Sequence, residues 1–542
     1  MSAIDTTLEA AVHAFQSGHL GEAEDLLQQV LRAEPDQPDA LHLLGLIAVQ
    51  AGELEAAADI MTRAFKKADH HPAIAVNLAA VLCRSGRFAE AEQTSRTALE
   101  KAPQDPGVWN GLGLALQGNG DGASAQAAFA KAHELAPDFR EAALNLAAAR
   151  YRKGDAVGAA GLYEEILKKA ADDEAAALGL GLAQAAGGET EAAIETFHNA
   201  VVAHPECVEA YFNLASAGAM TDDEQAAAEA LRQEVSTTNE DKARLSFALG
   251  EHVTDADPDA AFAYFEAGNA LRKAQWAAQG RVFKGDANER FVDDVINTFT
   301  PDWFAARKAA GAETERPVFI VGMPRSGSTL LERMMAGHGD VAAGGELGLR
   351  VPLEGFPASM NHATPVVLDA LASTYDDALS AVSASAARVT DKTPFNALVL
   401  GVLAAAMPRA RIVHIHRDPR GMGLSCFMQD FLEPHVWACD LGDIARYRRG
   451  HDRLMAHWRA VMPVDILDVA YEDLVENPED QMRRVLDYVG LPWDSACLDP
   501  RHAEGGVRTA SVWAVRRPLG TDALSRWRRF ESHLKPLDVA LV

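Results

Sequence analysis

A glycine recurs every 34 residues in the first part of the chain, at Gly18, Gly52, Gly86, Gly120, Gly154 and Gly188. Alanines keep the same interval at Ala23, Ala57, Ala91, Ala125, Ala159 and Ala193, and leucines at Leu44, Leu78, Leu112, Leu146, Leu180 and Leu214. A fixed interval gives each position one structural job, repeated along a stack of similar units. The glycine permits a tight turn between two antiparallel helices. The alanine lets the second helix approach the first, and the leucine fills the groove between them. Pro35, Pro103, Pro137 and Pro205 close four units, with Asp69 and Ala171 at the same place in the other two. A proline there stops one helix and sets the next one going.

Period and positions together resemble the tetratricopeptide repeat. The resemblance covers residues 4–236, as about six regular units and a degenerate seventh with Asp222 where the glycine is expected. A stack of this kind needs an atypical terminal unit as a cap. Residues 237–315 still read as helical, with apolar spacing at Ala243–Gly250 and Ala260–Leu271, and are expected to cap and connect.

Charge separates this arm from the C-terminal part of the chain. Residues up to Glu315 hold 25 basic and 50 acidic side chains, whereas Arg316 onward holds 25 and 28. The arm is therefore not expected to bind nucleic acid, which needs a basic surface. The C-terminal part keeps enough arginine for a small anion. No signal peptide and no membrane-spanning apolar run is read from the sequence. Five cysteines, sparse and without a C-x-x-C pair, argue against a disulfide framework or zinc site and fit a reducing compartment. A soluble cytoplasmic protein is expected.

At Arg316 the texture changes. Pro317–Val321 is a β-branched run that reads as a buried strand. Gly322-Met323-Pro324-Arg325-Ser326-Gly327-Ser328-Thr329 comes next, and then a helical stretch from Leu330 to Met335. Strand, glycine loop and helix form a phosphate cradle, in which backbone N–H groups and the helix dipole face an anion. The spacing is that of a nucleotide P-loop, yet Ser328 stands where a nucleoside triphosphatase carries its lysine. Arg325 lies inside the loop instead, which suits one phosphate ester without a triphosphate tail. A second strand-like run, Arg411–His416, leads into Arg417-Asp418-Pro419-Arg420-Gly421, with Ser425 eight residues after Arg417.

The first loop resembles the 5′-phosphosulfate loop of sulfotransferases, and the second segment their 3′-phosphate site. The expected fold is an N-terminal all-α tetratricopeptide solenoid (4–236), a helical connector (237–315), and a C-terminal α/β P-loop domain with a central parallel sheet (316–542). The resemblance implies 3′-phosphoadenosine-5′-phosphosulfate as donor and no metal. It implies donor contacts at Pro324, Arg325, Ser326, Gly327, Ser328, Thr329, Arg417 and Ser425. Tyr471, after a strand expected at Val464–Val469, matches a tyrosine beside the adenine. Ser511 and Arg517 match a late loop over the donor.

Gly337–Leu347 resembles the tyrosylprotein sulfotransferase branch, in which a glutamate after a glycine is the base; Glu346 takes that place. Lys392, in Asp391-Lys392-Thr393-Pro394-Phe395, matches a lysine that stabilises the leaving phosphate, and Arg325 completes the catalytic set. His338, His414 and His416 are expected to pack or hydrogen-bond. The combination resembles a bacterial group of repeat-containing sulfotransferases whose acceptors are poorly defined; a protein or peptide tyrosine presented by the repeat arm is the expected acceptor, with no nucleic-acid partner. Asn77, Asn145 and Asn213, each before a repeat leucine, are expected to line a groove and hydrogen-bond the backbone of that acceptor. A nucleotide-binding repeat adaptor without catalysis, and a sulfotransferase for a small molecule or carbohydrate, are the alternatives.

Overall fold

Each periodic glycine stands where the chain folds back on itself. From Gly18 to Gly188 all six have φ between 74° and 92°, a conformation that side chains with a Cβ avoid. The alanines five residues later are at most 1% exposed, so a larger side chain would find no room between the paired helices. Of the periodic leucines, Leu44 is half-buried and the other five are buried. In this computed structural model the described residues are 3–308, 310–347, 355–431, 435–500, 513, 520 and 522–539. The N-terminal region is a helical tetratricopeptide solenoid, running as helix pairs from Ala3–Gln16 and Leu20–Ala33 onward.

The degenerate unit has a simple cause. Its first helix, Val208–Ala217, ends early on Gly218 at φ 72°, so the left-handed turn residue has moved four places forward. Asp222 then opens the next helix, behind a Thr221–Glu224 capping box.

The chain divides into two compact units, Met1–Gln184 and Ala185–Val542. In the second unit, the helices Asn239–Val253 and Pro258–Ala278 pack against the helix Pro419–Phe427 through Phe262, Phe265, Met422 and Phe427. Their polar anchor is Asp430, a buried carboxylate. It accepts from Arg244 Nη1 at 3.0 Å and from Arg272 Nε and Nη2 at 2.8 Å each. A carboxylate taken out of water persists only with such partners.

The sheet has five parallel strands: β1 Pro317–Val321, β2 Val341–Ala343, β3 Arg388–Asp391, β4 Arg411–His416 and β5 Ile466–Ala470. Their order is β2-β3-β1-β4-β5, with Phe319 opposite both Asp391 and Ile412. The last strand begins and ends slightly later than the sequence suggested. β1 is central and buried throughout, as a parallel strand covered on both faces must be. Val318 and Ile320 pack with Leu331, Met334 and Leu486; Phe319 and Val321 pack with Tyr375, Leu400 and Trp458. Because all strands point one way, the segments leaving β1, β3 and β4 emerge at one edge. The loop after β1 thus lies between Lys392, after β3, and Arg417, after β4. Among the described residues no helix is long and apolar enough to cross a membrane.

Candidate active site

The loop after β1 is shaped by two backbone positions in the left-handed region, Arg325 at φ 66° and Gly327 at φ 103°. A Cβ on Gly327 would lie 2.3 Å from Tyr471 Cδ2, so the tyrosine ring closes one side of the loop only because this residue is glycine. Gly327 is also the N-cap of the helix Ser328–Met335 and offers no side-chain cap. A helix N-terminus at the end of such a loop favours an anion. Ser326 is 1% exposed, and its Oγ has no hydrogen-bond partner among the described residues. A buried hydroxyl of that kind fits a phosphate oxygen better than an empty loop. Pro324 is buried, its carbonyl accepting from Cys426 Sγ at 3.3 Å; Ser328 is buried and Thr329 half-buried.

The segment after β4 meets this loop directly. Arg325 Nε donates to Ser425 Oγ at 3.1 Å. Arg417 donates from Nη1 to the Arg325 carbonyl at 3.4 Å and from Nη2 to the Ala523 carbonyl at 2.7 Å. Its guanidinium lies 4.6 Å from the centre of the Tyr471 ring, a cation–π arrangement. Asp418 N donates to Glu472 Oε1 at 2.9 Å, tying the tyrosine segment to the arginine segment. Thus Arg325, the Arg417–Ser425 segment and Tyr471, which stand apart in the sequence, form one cluster. Burial, with nearby Arg417 as a lesser cause, pushes Arg325 below its ordinary pKa. An anion placed there would favour its charged form and oppose that shift.

On the other side of the loop, Lys392 Nζ lies 3.0 Å from Glu346 Oε1. The lysine side chain is 2% exposed and the glutamate 52%, so a buried cation meets a carboxylate open to an incoming group. Asp391 sets the lysine's direction. Its carboxylate accepts from Thr393 N and Oγ1, Tyr375 OH and Asn396 Nδ2, which fixes the turn after β3.

Sequence reasoning passed over Glu332. It lies on the helix Ser328–Met335, is 5% exposed, and accepts at Oε1 from Gly345 N at 3.0 Å and Thr390 Oγ1 at 2.7 Å. Burial raises its pKa, with Lys392 the largest opposing influence. The available signal was an acidic residue inside the apolar run Leu330-Leu331-Glu332-Arg333-Met334-Met335.

The three histidines read from the sequence have different surroundings. His338 contacts the Pro492 carbonyl through Nε2 and accepts from Asp340 N. His414 is bonded to Asp468 and lies 3.3 Å from His451, while His416 is exposed. The three asparagines differ among themselves. Asn77 pairs with His42 and Asn145 with Asn110, each at 2.9 Å across neighbouring helices. Asn213, in the second unit, is buried and donates to the Glu209 carbonyl of its own helix at 2.8 Å. Ser511 and Arg517 lie outside the described residues.

A glycine loop that turns into a helix, with a lysine–carboxylate pair beside it, thus lies at one edge of the parallel sheet. Residues 317–495 match the family model described as "Sulfotransferase family". Tetratricopeptide-repeat models match residues 8–67, 48–114, 110–176 and 178–242. The C-terminal region accordingly carries a sulfotransferase-family domain, and the N-terminal region tetratricopeptide repeats. Protein-tyrosine sulfotransferase A of Caenorhabditis elegans is 27% identical over 240 residues, 39% of this chain and 60% of that protein. Protein-tyrosine sulfotransferase 1 of Danio rerio is 29% identical over 241 residues, 39% of this chain and 65% of that protein. An uncharacterized protein of Aquifex aeolicus is 29% identical over 294 residues, 51% of this chain and 38% of that protein. The chain thus spans less than two thirds of the length of each of these three relatives.

Proposed function

We propose that the protein transfers a sulfuryl group from 3′-phosphoadenosine-5′-phosphosulfate to a hydroxyl, with a protein or peptide tyrosine as acceptor. The observation that carries this reading is the Lys392–Glu346 contact at 3.0 Å, on the sheet edge that also bears the glycine loop. The donor, when bound, supplies an activated sulfuryl group. Pro324 to Thr329 hold its 5′-phosphosulfate end, with Ser326 Oγ and the N–H groups opening the helix as donors. Arg417 and Ser425 hold the 3′-phosphate, and Tyr471 lies beside the adenine. Ser511 and Arg517 are assigned to the donor on resemblance.

Glu346 takes the proton of the acceptor hydroxyl, whose oxygen forms the new bond to sulfur. Lys392 and Arg325 balance the charge on the phosphate oxygen released as the old bond breaks. Asn77, Asn145 and Asn213 serve the acceptor's backbone, and no metal is needed. The five free thiols support a cytoplasmic setting.

The test is incubation with labelled donor and a panel of tyrosine peptides, small phenols and carbohydrates, with mass spectrometry for added sulfate. Label on peptide tyrosine supports the reading. Label on small molecules or carbohydrates alone corrects the acceptor class. Tight donor binding with no transfer to any acceptor favours the nucleotide-binding adaptor.

A further inference from the structure

Glu346 is more than half exposed, so its own side chain does little to fix where the base stands. Its position is set by the preceding peptide. Gly345 is in the left-handed region at φ 65° and is held at both ends. Its carbonyl accepts from Lys392 N at 2.8 Å, and its N–H donates to Glu332 Oε1 at 3.0 Å. The same carboxylate oxygen accepts from Thr390 Oγ1 at 2.7 Å, two residues before the lysine. Glu332 in turn belongs to the helix that opens at the glycine loop. Donor loop, base segment and lysine segment therefore meet at one buried oxygen.

We propose that Glu332 is a positioning residue that holds Glu346 in register with both Lys392 and the donor loop, an inference that rests on the proposed reaction. Its carboxylate touches no reacting atom; it acts through the Gly345 peptide. A buried carboxylate is costly unless paired with donors, and a plain core position on this helix would be better filled by an apolar residue. Registering three segments gives the charge a purpose that helix packing alone does not.

The test combines Glu332→Ala, Glu332→Gln and Glu346→Gln in the full chain. Alanine removes the acceptor for both donors, and a misplaced reacting group costs roughly 10²-fold. Glu332→Ala should lower kcat by that order, while the Kd for 3′-phosphoadenosine-5′-phosphate stays within about twofold. Glutamine keeps a carbonyl oxygen for the same two bonds and should rescue most of kcat. In the Glu346→Gln background, adding Glu332→Ala should cost little more, because residues acting as a unit are non-additive.

An equal fold-loss from Glu332→Ala in both backgrounds would overturn the inference, as would a parallel loss of donor affinity. If the alanine variant fails to fold, Glu332→Gln decides. Near-parent kcat supports the inference, and a hundredfold loss at unchanged melting temperature overturns it. Near-parent turnover in Glu346→Gln would instead withdraw Glu346 as the base and leave the transfer reaction standing.

Discussion

The repeat unit and the sulfotransferase-family domain use glycine and buried charge in opposite ways. In the repeats the left-handed glycines Gly18, Gly52, Gly86, Gly120 and Gly154 face open space: a Cβ on any of them would meet nothing within 4 Å. The glycine there serves only a turn, six times over. In the domain, a Cβ on Gly327 would lie 2.3 Å from Tyr471, so the bare glycine also admits an aromatic wall beside the loop. Charge divides likewise. Repeat ion pairs such as Arg63–Asp36 and Lys169–Asp138 lie at the surface, where solvent screens them and little stability is gained. Glu332, Asp391 and Lys392 are buried, and each is hydrogen-bonded to another side chain, Thr390, Asn396 and Glu346 respectively. Uniform units build a scaffold, and chemistry sits where the pattern is broken at a desolvation cost.

That contrast can be broken most severely at the base. Glu346→Gln should lower turnover by roughly 10²–10⁴-fold and leave donor affinity unchanged. Lys392→Ala should also lower turnover, through the leaving phosphate. Steady-state kinetics beside donor calorimetry checks both; near-parent turnover in Glu346→Gln would return attention to the histidines.

Next in size is the donor cluster. Arg417→Ala removes a charge-assisted contact of about 1.5–3 kcal/mol and should weaken donor binding at least roughly tenfold. Gly327→Ala should do similar damage through the Tyr471 collision. Gly120→Ala, its counterpart in the repeats, should cost only about 1–2 kcal/mol of stability and leave donor binding alone. Equal losses of donor binding from these two glycine variants would erase the distinction between scaffold and site.

The smallest effect is expected in the arm. Asn77→Ala, Asn145→Ala and Asn213→Ala combined should raise KM for a peptide acceptor and spare donor binding. Since Asn213 is buried while Asn77 and Asn145 are half-buried, most of that rise should come from Asn77 and Asn145. A folded triple variant with parent KM for every peptide would make the arm a scaffold for partners.

The solenoid was legible because its period is a backbone requirement written in glycine and alanine. The loop Gly322–Thr329 and the segment Arg417–Ser425 were legible for the same reason, as short stretches with fixed local geometry. What stayed hidden was contact between distant segments. Nothing local says that Arg325 bonds Ser425, that Tyr471 covers Gly327, or that Asp430 takes two arginines from the helices before the sheet. Glu332 was masked by its neighbours, since Leu330 to Met335 reads as an ordinary apolar helix. The move of the turn from residue 222 to Gly218 was hidden too, because a shortened helix keeps its leucine in register while shifting its cap.

The most direct measurement compares ligands in calorimetry on the unaltered protein: 3′-phosphoadenosine-5′-phosphate, AMP, and ATP with Mg²⁺. Arg417 and Ser425 are assigned to a 3′-phosphate that AMP and ATP lack, and Ser328 replaces the lysine that a triphosphate requires. We expect the 3′-phosphorylated ligand to bind at least about tenfold more tightly than AMP, without added metal. AMP binding as tightly, or ATP with Mg²⁺ binding more tightly, would contradict a sulfuryl-donor site.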